Sequence, residues 1–339
     1  MTMRKAVPLL CCALLWVAAA PLQAQVVSLN YERLSSLEDP LAMEFGDVTY
    51  VLNGLADLPL LLDLDGGADR IEAIGNFEFE ASTQLSNRWL AAVTYFGQYV
   101  SDSAAETSSE EDYTDNLALS VGSYWGTVVL GNVSGIVREQ TRRLRGAGNA
   151  SLAFDDALGR LGDDGGGYLV RFGPWLFSSL IDDDDNVDLG VTYQRPTGTR
   201  DYRLTARYTD STYTTEDRSR SFDSTAFSGV AEVIFGSTRW DLGAGYEHLS
   251  SDGLKADRWY ASAGGRIKAG VLSLSLEGHY GQIGNEDEVS AAFGIQYDLA
   301  RGLSVNLGLN HTDGTAERDG TSIIRKRENK AALSMRYSF

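Results

Sequence analysis

Cysteine is almost absent from this chain of 339 residues. The two present, Cys11 and Cys12, both lie in a leading segment that reads as removable. A mature chain without cysteine excludes a disulfide scaffold, a cysteine-ligated zinc site and a cysteine nucleophile. Basic charge is also short: 29 Lys and Arg against 47 Asp and Glu leave a net charge of −18. Nucleic acid is excluded as a partner, because phosphate contacts need a basic face. Past the leader, no stretch approaches the roughly 18 apolar residues of a membrane-spanning helix. Catalytic signatures are missing too: there is no HExxH, no GxSxG, no Walker loop and no complete dinucleotide fingerprint. His248, His279 and His311 are far apart in sequence. They read as interfacial or lumenal side chains, and no catalytic residue, cofactor or resident metal is expected.

What is present begins with an address. Arg4 and Lys5 precede an apolar run from Ala6 to about Ala20, and Leu22-Gln23-Ala24 closes it with small residues. This is the layout of an export signal cut after Ala24, so 1–24 is expected to leave the mature chain.

From Asp47 to Phe339 the dominant signal has period two. Ala331, Leu333, Met335, Tyr337 and Phe339 alternate with Ala332, Ser334, Arg336 and Ser338. Leu303, Val305, Leu307 and Leu309 alternate in the same way with Ser304, Asn306, Gly308 and Asn310. Successive side chains of a strand point to opposite faces, so these are two-faced strands. Sixteen are expected, near 46–64, 71–84, 87–100, 114–123, 125–132, 166–173, 174–182, 186–194, 200–209, 224–235, 238–249, 256–268, 270–283, 287–299, 302–312 and 327–339. Their connections largely alternate between short ones, as at Ser86, Tyr124, Gly173, Ser237, Ala269 and Arg301, and longer polar ones at 101–113, 133–165, 210–223, 250–255 and 313–326. Short turns at one rim and long loops at the other describe an all-β, transmembrane, antiparallel up-and-down β-barrel. Trp89, Trp125, Trp175 and Trp240 lie close to short turns and are expected to form one interfacial girdle. A sheet in lipid must close, because an unpaired amide there costs several kcal/mol. Sixteen strands leave room for an aqueous channel.

Two matters stay open. Asn53-Gly54 is a hairpin-turn signal, yet Val48, Tyr50, Leu52, Ala56, Leu58, Leu60, Leu62 and Leu64 keep one parity across it. One long strand is the favoured reading; a turn there with a paired 26–34 would give 18 strands. Residues 25–45 form a periplasmic arm, an extra strand or a plug.

Several segments resemble those of Gram-negative general porins. Met335-Arg336-Tyr337-Ser338-Phe339 is similar to the terminal aromatic signal of outer-membrane barrels. Trp125-Gly126-Thr127-Val128-Val129-Leu130-Gly131-Asn132 resembles the strand leading into the porin constriction loop. Asp47-Val48-Thr49 with Gly54-Leu55-Ala56-Asp57 resembles the family's first strand, and Tyr297-Asp298-Leu299 with Leu303-Ser304-Val305 its penultimate turn and strand. The resemblance implies a barrel over 46–339 with a constriction loop at 133–165, after the fifth strand. It further implies the outer membrane as location, reached through the periplasm, with lipid and lipopolysaccharide as surroundings. Small hydrophilic solutes and ions are the implied cargo and a homotrimer the implied assembly.

That loop carries chemistry. A short helix is expected, capped by Ser134 and ended by Gly146, with Ile136, Val137, Gln140 and Leu144 on one face. Arg138, Arg142, Arg143 and Arg145 occupy other positions, and Asp155 and Asp156 lie downstream. With Arg171, Arg203 and Arg207 from the wall, these are the candidate constriction residues. Opposed charges at a constriction filter ions and polar solutes. Further inward parity falls to Glu72, Glu78, Glu80, Glu232, Asp241, Glu247, Arg258, Arg266, Glu277 and Arg336, and to the aromatics Phe96, Tyr124 and Tyr260. A water-filled diffusion channel is the expected function; a substrate-specific channel for a sugar, phosphate or other anion, or a plugged structural or adhesive barrel, are the alternatives. The acidic runs Asp182–Asp185 and 101–115 read as solvated loops.

Overall fold

The structure is a computed structural model, and it describes residues 40–102, 111–136, 147, 161–162, 164–196, 200–214, 221–251, 254–317 and 324–339. Seventeen strands follow one another. They are β1 (Leu41–Phe45), β2 (Val48–Asp63), β3 (Arg70–Gln84), β4 (Leu90–Asp102), β5 (Glu111–Ser123) and β6 (Gly126–Asn132). Next come β7 (Asp164–Phe172), β8 (Trp175–Asp182), β9 (Val187–Pro196), β10 (Arg200–Thr214), β11 (Ser221–Phe235) and β12 (Thr238–Ser251). The last are β13 (Leu254–Ala269), β14 (Leu272–Ile283), β15 (Glu286–Ala300), β16 (Leu303–Glu317) and β17 (Ile324–Ser338).

Each strand from β2 to β17 pairs antiparallel with the next, and β17 pairs back onto β2, with Ser338 beside Leu55 and Lys330 beside Asp63. The sheet is therefore a closed sixteen-strand barrel, and closure leaves no edge within the ring. Asn53 and Gly54 lie inside β2, in continuous register with Glu78 and Phe77, so the eighteen-strand count does not hold. The turn signal loses because pairing on both sides keeps the backbone extended.

β1 is the extra strand. It pairs with the first residues of β2, Leu41 beside Leu52 and Phe45 beside Val48, on the same edge that β17 occupies further up. It thus continues the line of β17 below Phe339. Of the 25–45 segment, 41–45 are strand; Val27 to Leu34 lie outside the described residues.

The polarity is inverted relative to a soluble protein. Leu333, Met335 and Tyr337 are exposed, whereas Ser334, Arg336 and Ser338 are buried. The same holds for Leu274 and Leu276 against Ser273, Ser275 and Glu277. An apolar outside and a polar inside suit lipid around the cylinder and water within it. Among the described residues no helix is long and apolar enough to cross a membrane.

One rim carries tight connections, such as Gly236-Ser237 and Gly270-Val271, whose first residue takes a positive φ that glycine adopts without strain. Trp175 and Trp240 sit near this rim, exposed and outward, while Trp89 and Trp125 are half-buried against each other with rings 5.7 Å apart. At the other rim the strands run further than expected. β10 and β11 stay paired to Thr214 and Ser221, and β12 and β13 to Ser251 and Leu254, which shortens the intervening loops.

Candidate functional site

The inner wall is not uniformly polar. Along β6, β7 and β8 the inward positions include Val129, Leu169, Leu176 and Leu180, and with Phe96 and Ala118 they form an apolar cluster inside the barrel. Val133, Ile136 and Leu161 pack onto it from the connection between β6 and β7. Burying these side chains in a lumen otherwise lined by polar groups draws both ends of that connection inward. The helical turn at 134–136 is capped by Asn132: its Oδ1 accepts the Gly135 N–H at 2.8 Å and the Ser134 hydroxyl at 3.3 Å. Asn132 thus takes the capping role expected of Ser134, because its amide is itself held by Asn116 at 2.8 Å.

The far end is held by Asp182. Its carboxylate accepts N–H groups of Gly162 (2.5 Å), Asp184 (3.0 Å) and Asn186 (2.8 Å), and the Asn186 side-chain amide (2.8 Å). The acidic run Asp182–Asp185 is thus a turn organised around one buried carboxylate. Among the described residues no cluster has the make-up of a metal site.

Between its ends the connection reaches across the lumen. Ala147 is fully buried and donates its backbone N–H to Ser275 Oγ on β14, at 2.7 Å. β14 lies eight strands from β6 in a ring of sixteen, so the contact is on the opposite wall.

Charges line the remaining inner wall. β3 presents Glu72, Glu78 and Glu80, and neighbouring β2 presents Asp57. Eight strands away, around β11, the inward residues include Arg203 and Arg207 on β10, Arg239 on β12, and Arg258 and Arg266 on β13. Arg203 pairs with Glu232 at 2.5 Å, and Arg207 with Asp188, whose carboxylate also accepts the Thr209 hydroxyl at 2.7 Å. Arg171 is inward and half-buried on β7. Of the nine candidate constriction residues these three are thus on the inner wall. Arg138, Arg142, Arg143, Arg145, Asp155 and Asp156 lie outside the described residues. Tyr124, expected inward, is instead an exposed turn residue, whereas Phe96 and Tyr260 are inward and buried. Arg239, Asp188, Asp57 and Glu288 are further inward charges not singled out from the sequence, although the alternation that identifies Glu247 reaches them within the expected strands 238–249, 186–194, 46–64 and 287–299.

No family model matches the chain, and no curated protein matches its sequence. Solved structures do. The trimer form of OmpT, an outer membrane protein of Vibrio cholerae, superposes with a TM-score of 0.64 at 14% identity, over 87% of this chain and 100% of that one. An anion-selective porin from Comamonas acidovorans gives 0.63 at 12% identity, over 86% and 100%. A further porin refined at 1.8 Å resolution gives 0.55 at 15% identity, over 86% and 100%. Closed ring, inverted polarity and these superpositions give the chain the closed sixteen-strand barrel fold of the porins.

Proposed function

We propose that the chain forms a water-filled channel for passive diffusion of small hydrophilic solutes and ions, with no chemical step and with 1–24 removed on export. The observation that carries this reading is the hydrogen bond from Ala147 to Ser275, which takes the loop after β6 across the lumen. A loop that crosses a polar lumen narrows it. Arg138, Arg142, Arg143, Arg145, Asp155 and Asp156 are assigned to the constriction, with Arg171, Arg203 and Arg207 behind them on the wall. Glu78 and Glu80 on β3 lie eight strands from β11, beside which Arg239 and Arg266 stand on β12 and β13, and this opposition would set a transverse field that low-dielectric walls focus. Purified protein in a planar bilayer is expected to show steps of ohmic conductance, and deletion of 137–160 to enlarge them. Absence of conductance would count for a plugged barrel.

An anion-specific channel is the second reading, favoured by Arg239 and Arg266, which stand directly opposite each other on β12 and β13. Like charges in register repel, and an anion between them relieves this. Saturable block by phosphate, absent in R239Q, distinguishes it from general diffusion.

The assembly we assign is a homotrimer. Outward-facing Gly75 and Gly97 leave an apolar groove of about 530 Å³ on β2 to β5, walled by Leu52, Phe77, Tyr99 and Phe339. A second barrel pressed against this face would fill it. Cross-linking in detergent is expected to give a three-chain band, diminished by G75W.

A further inference from the structure

The outward belt of the barrel is broken by charge at one place near the rim of tight turns. In the half of each strand nearer that rim, the outward-facing described residues are uncharged except for Arg195 on β9 and Arg200 on β10. The two belong to one hairpin. Arg195 stands opposite Tyr202, and Arg200 is the next outward residue of β10 toward the rim. Such diagonal neighbours on one face lie about 7–8 Å apart, so two guanidinium groups of like sign share a small patch. Both side chains are exposed.

Aromatic rings frame the pair. Trp175 on β8 is 44% exposed and packs on Tyr193, the outward residue before Arg195 on β9, with ring centroids 4.8 Å apart. On the other side Arg200 lies over the ring of Phe235 on β11, 5.0 Å from its centroid, which fixes where that charge sits. Tyr202 adds a half-buried ring between them. On the outward face of β8 to β11 the described acids are Asp210 and Asp223, both toward the opposite rim.

An outward charge is costly at mid-membrane and tolerated only near the interface. Tryptophan and tyrosine gather at that same level, where one end of the ring is wet and the other apolar. The patch therefore stands at the height of lipid head groups. Arginine at such a height matches a phosphate, because its planar fork of N–H groups fits two oxygens at once. Two arginines beside each other favour a head group with net negative charge over a zwitterionic one, whose own cation they would repel.

The position of the hairpin argues for lipid as the neighbour. β10 is seven strands from β3, which carries Gly75 and Phe77 at the centre of the groove assigned above to contact between copies. A second barrel seated in that groove leaves the β9–β10 hairpin facing the membrane.

We propose that Arg195 and Arg200, framed by Trp175, Tyr193, Tyr202 and Phe235, form a binding site for the phosphodiester head group of an anionic phospholipid in the leaflet at the tight-turn rim. The site needs the barrel to stand in lipid but does not need the lumen to conduct, so it goes beyond the channel reading and is tested apart from it. The arginines hold the phosphate, and the rings hold the glycerol and upper chain region below it.

Native mass spectrometry of the barrel, released from vesicles of phosphatidylglycerol and phosphatidylcholine in equal parts, tests this. The wild type should retain phosphatidylglycerol several-fold over phosphatidylcholine. R195Q/R200Q should retain the two lipids alike. R88Q/R301Q removes as much charge from two turns of the same rim and should keep the wild-type preference. A preference that persists in R195Q/R200Q, or one that vanishes equally in R88Q/R301Q, would overturn the site. Loss of an oligomer in R195Q/R200Q, with lipid retention unchanged, would seat a second copy at the arginines and overturn it as well. A barrel that shows the predicted lipid pattern but no conductance in a bilayer supports the site and removes the channel reading alone. Should R195Q/R200Q fail to fold, equal retention of both lipids by the wild type is itself enough to overturn the proposal.

Discussion

Arg336 and Asp57 stand directly opposite each other where the last strand of the barrel meets the first, with Nη2 and Nε of the guanidinium 2.7 and 3.1 Å from one carboxylate oxygen. Both face inward and both are buried. The pair joins residues 279 positions apart, at the seam where the two ends of the sheet meet. Removing Arg336 takes from the buried Asp57 carboxylate its guanidinium partner, and breaking a buried pair in this way costs about 3–5 kcal/mol. D57N and R336M should therefore each lower the urea midpoint of the folded barrel markedly. The double variant D57L/R336L should recover much of the loss, because a matched apolar pair carries no stranded charge. A double variant no better than the singles would show that the pair is not a unit.

A second clasp closes the same seam at the opposite rim. Asp65, in the connection between β2 and β3, accepts the Asn329 backbone N–H at 2.7 Å and its side-chain amide at 2.8 Å. These hydrogen bonds, with Arg327 and His311 nearby, hold the Asp65 carboxyl below its ordinary value of 3.8. A carboxyl lowered by folding contributes stability above the unfolded value, and that contribution is lost as pH falls through the folded one. The stability gap between wild type and D65A should therefore be present at pH 6 and should close below about pH 4. Urea titrations of both proteins at the two pH values measure it. A gap that widens on acidification would have the wrong sign for this clasp.

The barrel was legible in the sequence because its two solvents enforce strict alternation. Leu333, Met335 and Tyr337 have no reason to face out other than lipid, and Ser334, Arg336 and Ser338 none to face in other than water. The loop's root was not legible, since Val129, Leu169, Leu176 and Leu180 put apolar side chains on the wet face. That lapse of alternation between β6 and β8 is itself the signal that something apolar covers the wall. Arg203 and Arg207 had the expected inward parity, but not their pairing with Glu232 and Asp188. Cross-strand partners depend on register, which parity alone does not set. The grip of Ala147 on Ser275 spans 128 positions and left no local trace.

Two outward glycines on neighbouring strands give an internal comparison. Gly54 exchanges both backbone hydrogen bonds with Phe339, at 2.9 and 3.0 Å, and the terminal ring lies over it. A Cβ at 54 would stand 2.9 Å from Phe339 Cζ and 2.5 Å from the Asn76 carbonyl, while at Gly75 it would meet nothing within 4 Å. G54A should therefore destabilise by about 1–3 kcal/mol, as overpacking does, and displace the terminal ring. G75A should be close to neutral. Folding yields into detergent micelles, compared side by side, test the difference. Equal yields would mean that the ring yields without cost.

Ser275 offers the cleanest handle on the constriction. Its hydroxyl is the acceptor for the Ala147 N–H at a buried site, and alanine would leave that donor unsatisfied, at about 1–3 kcal/mol. That energy is small against the whole barrel but acts on one contact of one loop. S275A should therefore leave the urea midpoint nearly unchanged while making the channel noisier, with more frequent closures at a given voltage. S275T keeps the hydroxyl and should behave as the wild type. The two readouts separate a loop contact from a general packing defect, because a defect in the wall would lower the midpoint as well. If S275A and S275T record alike, the loop is held by its apolar root and by Asp182 alone, and the far-wall contact bears no part of its seating.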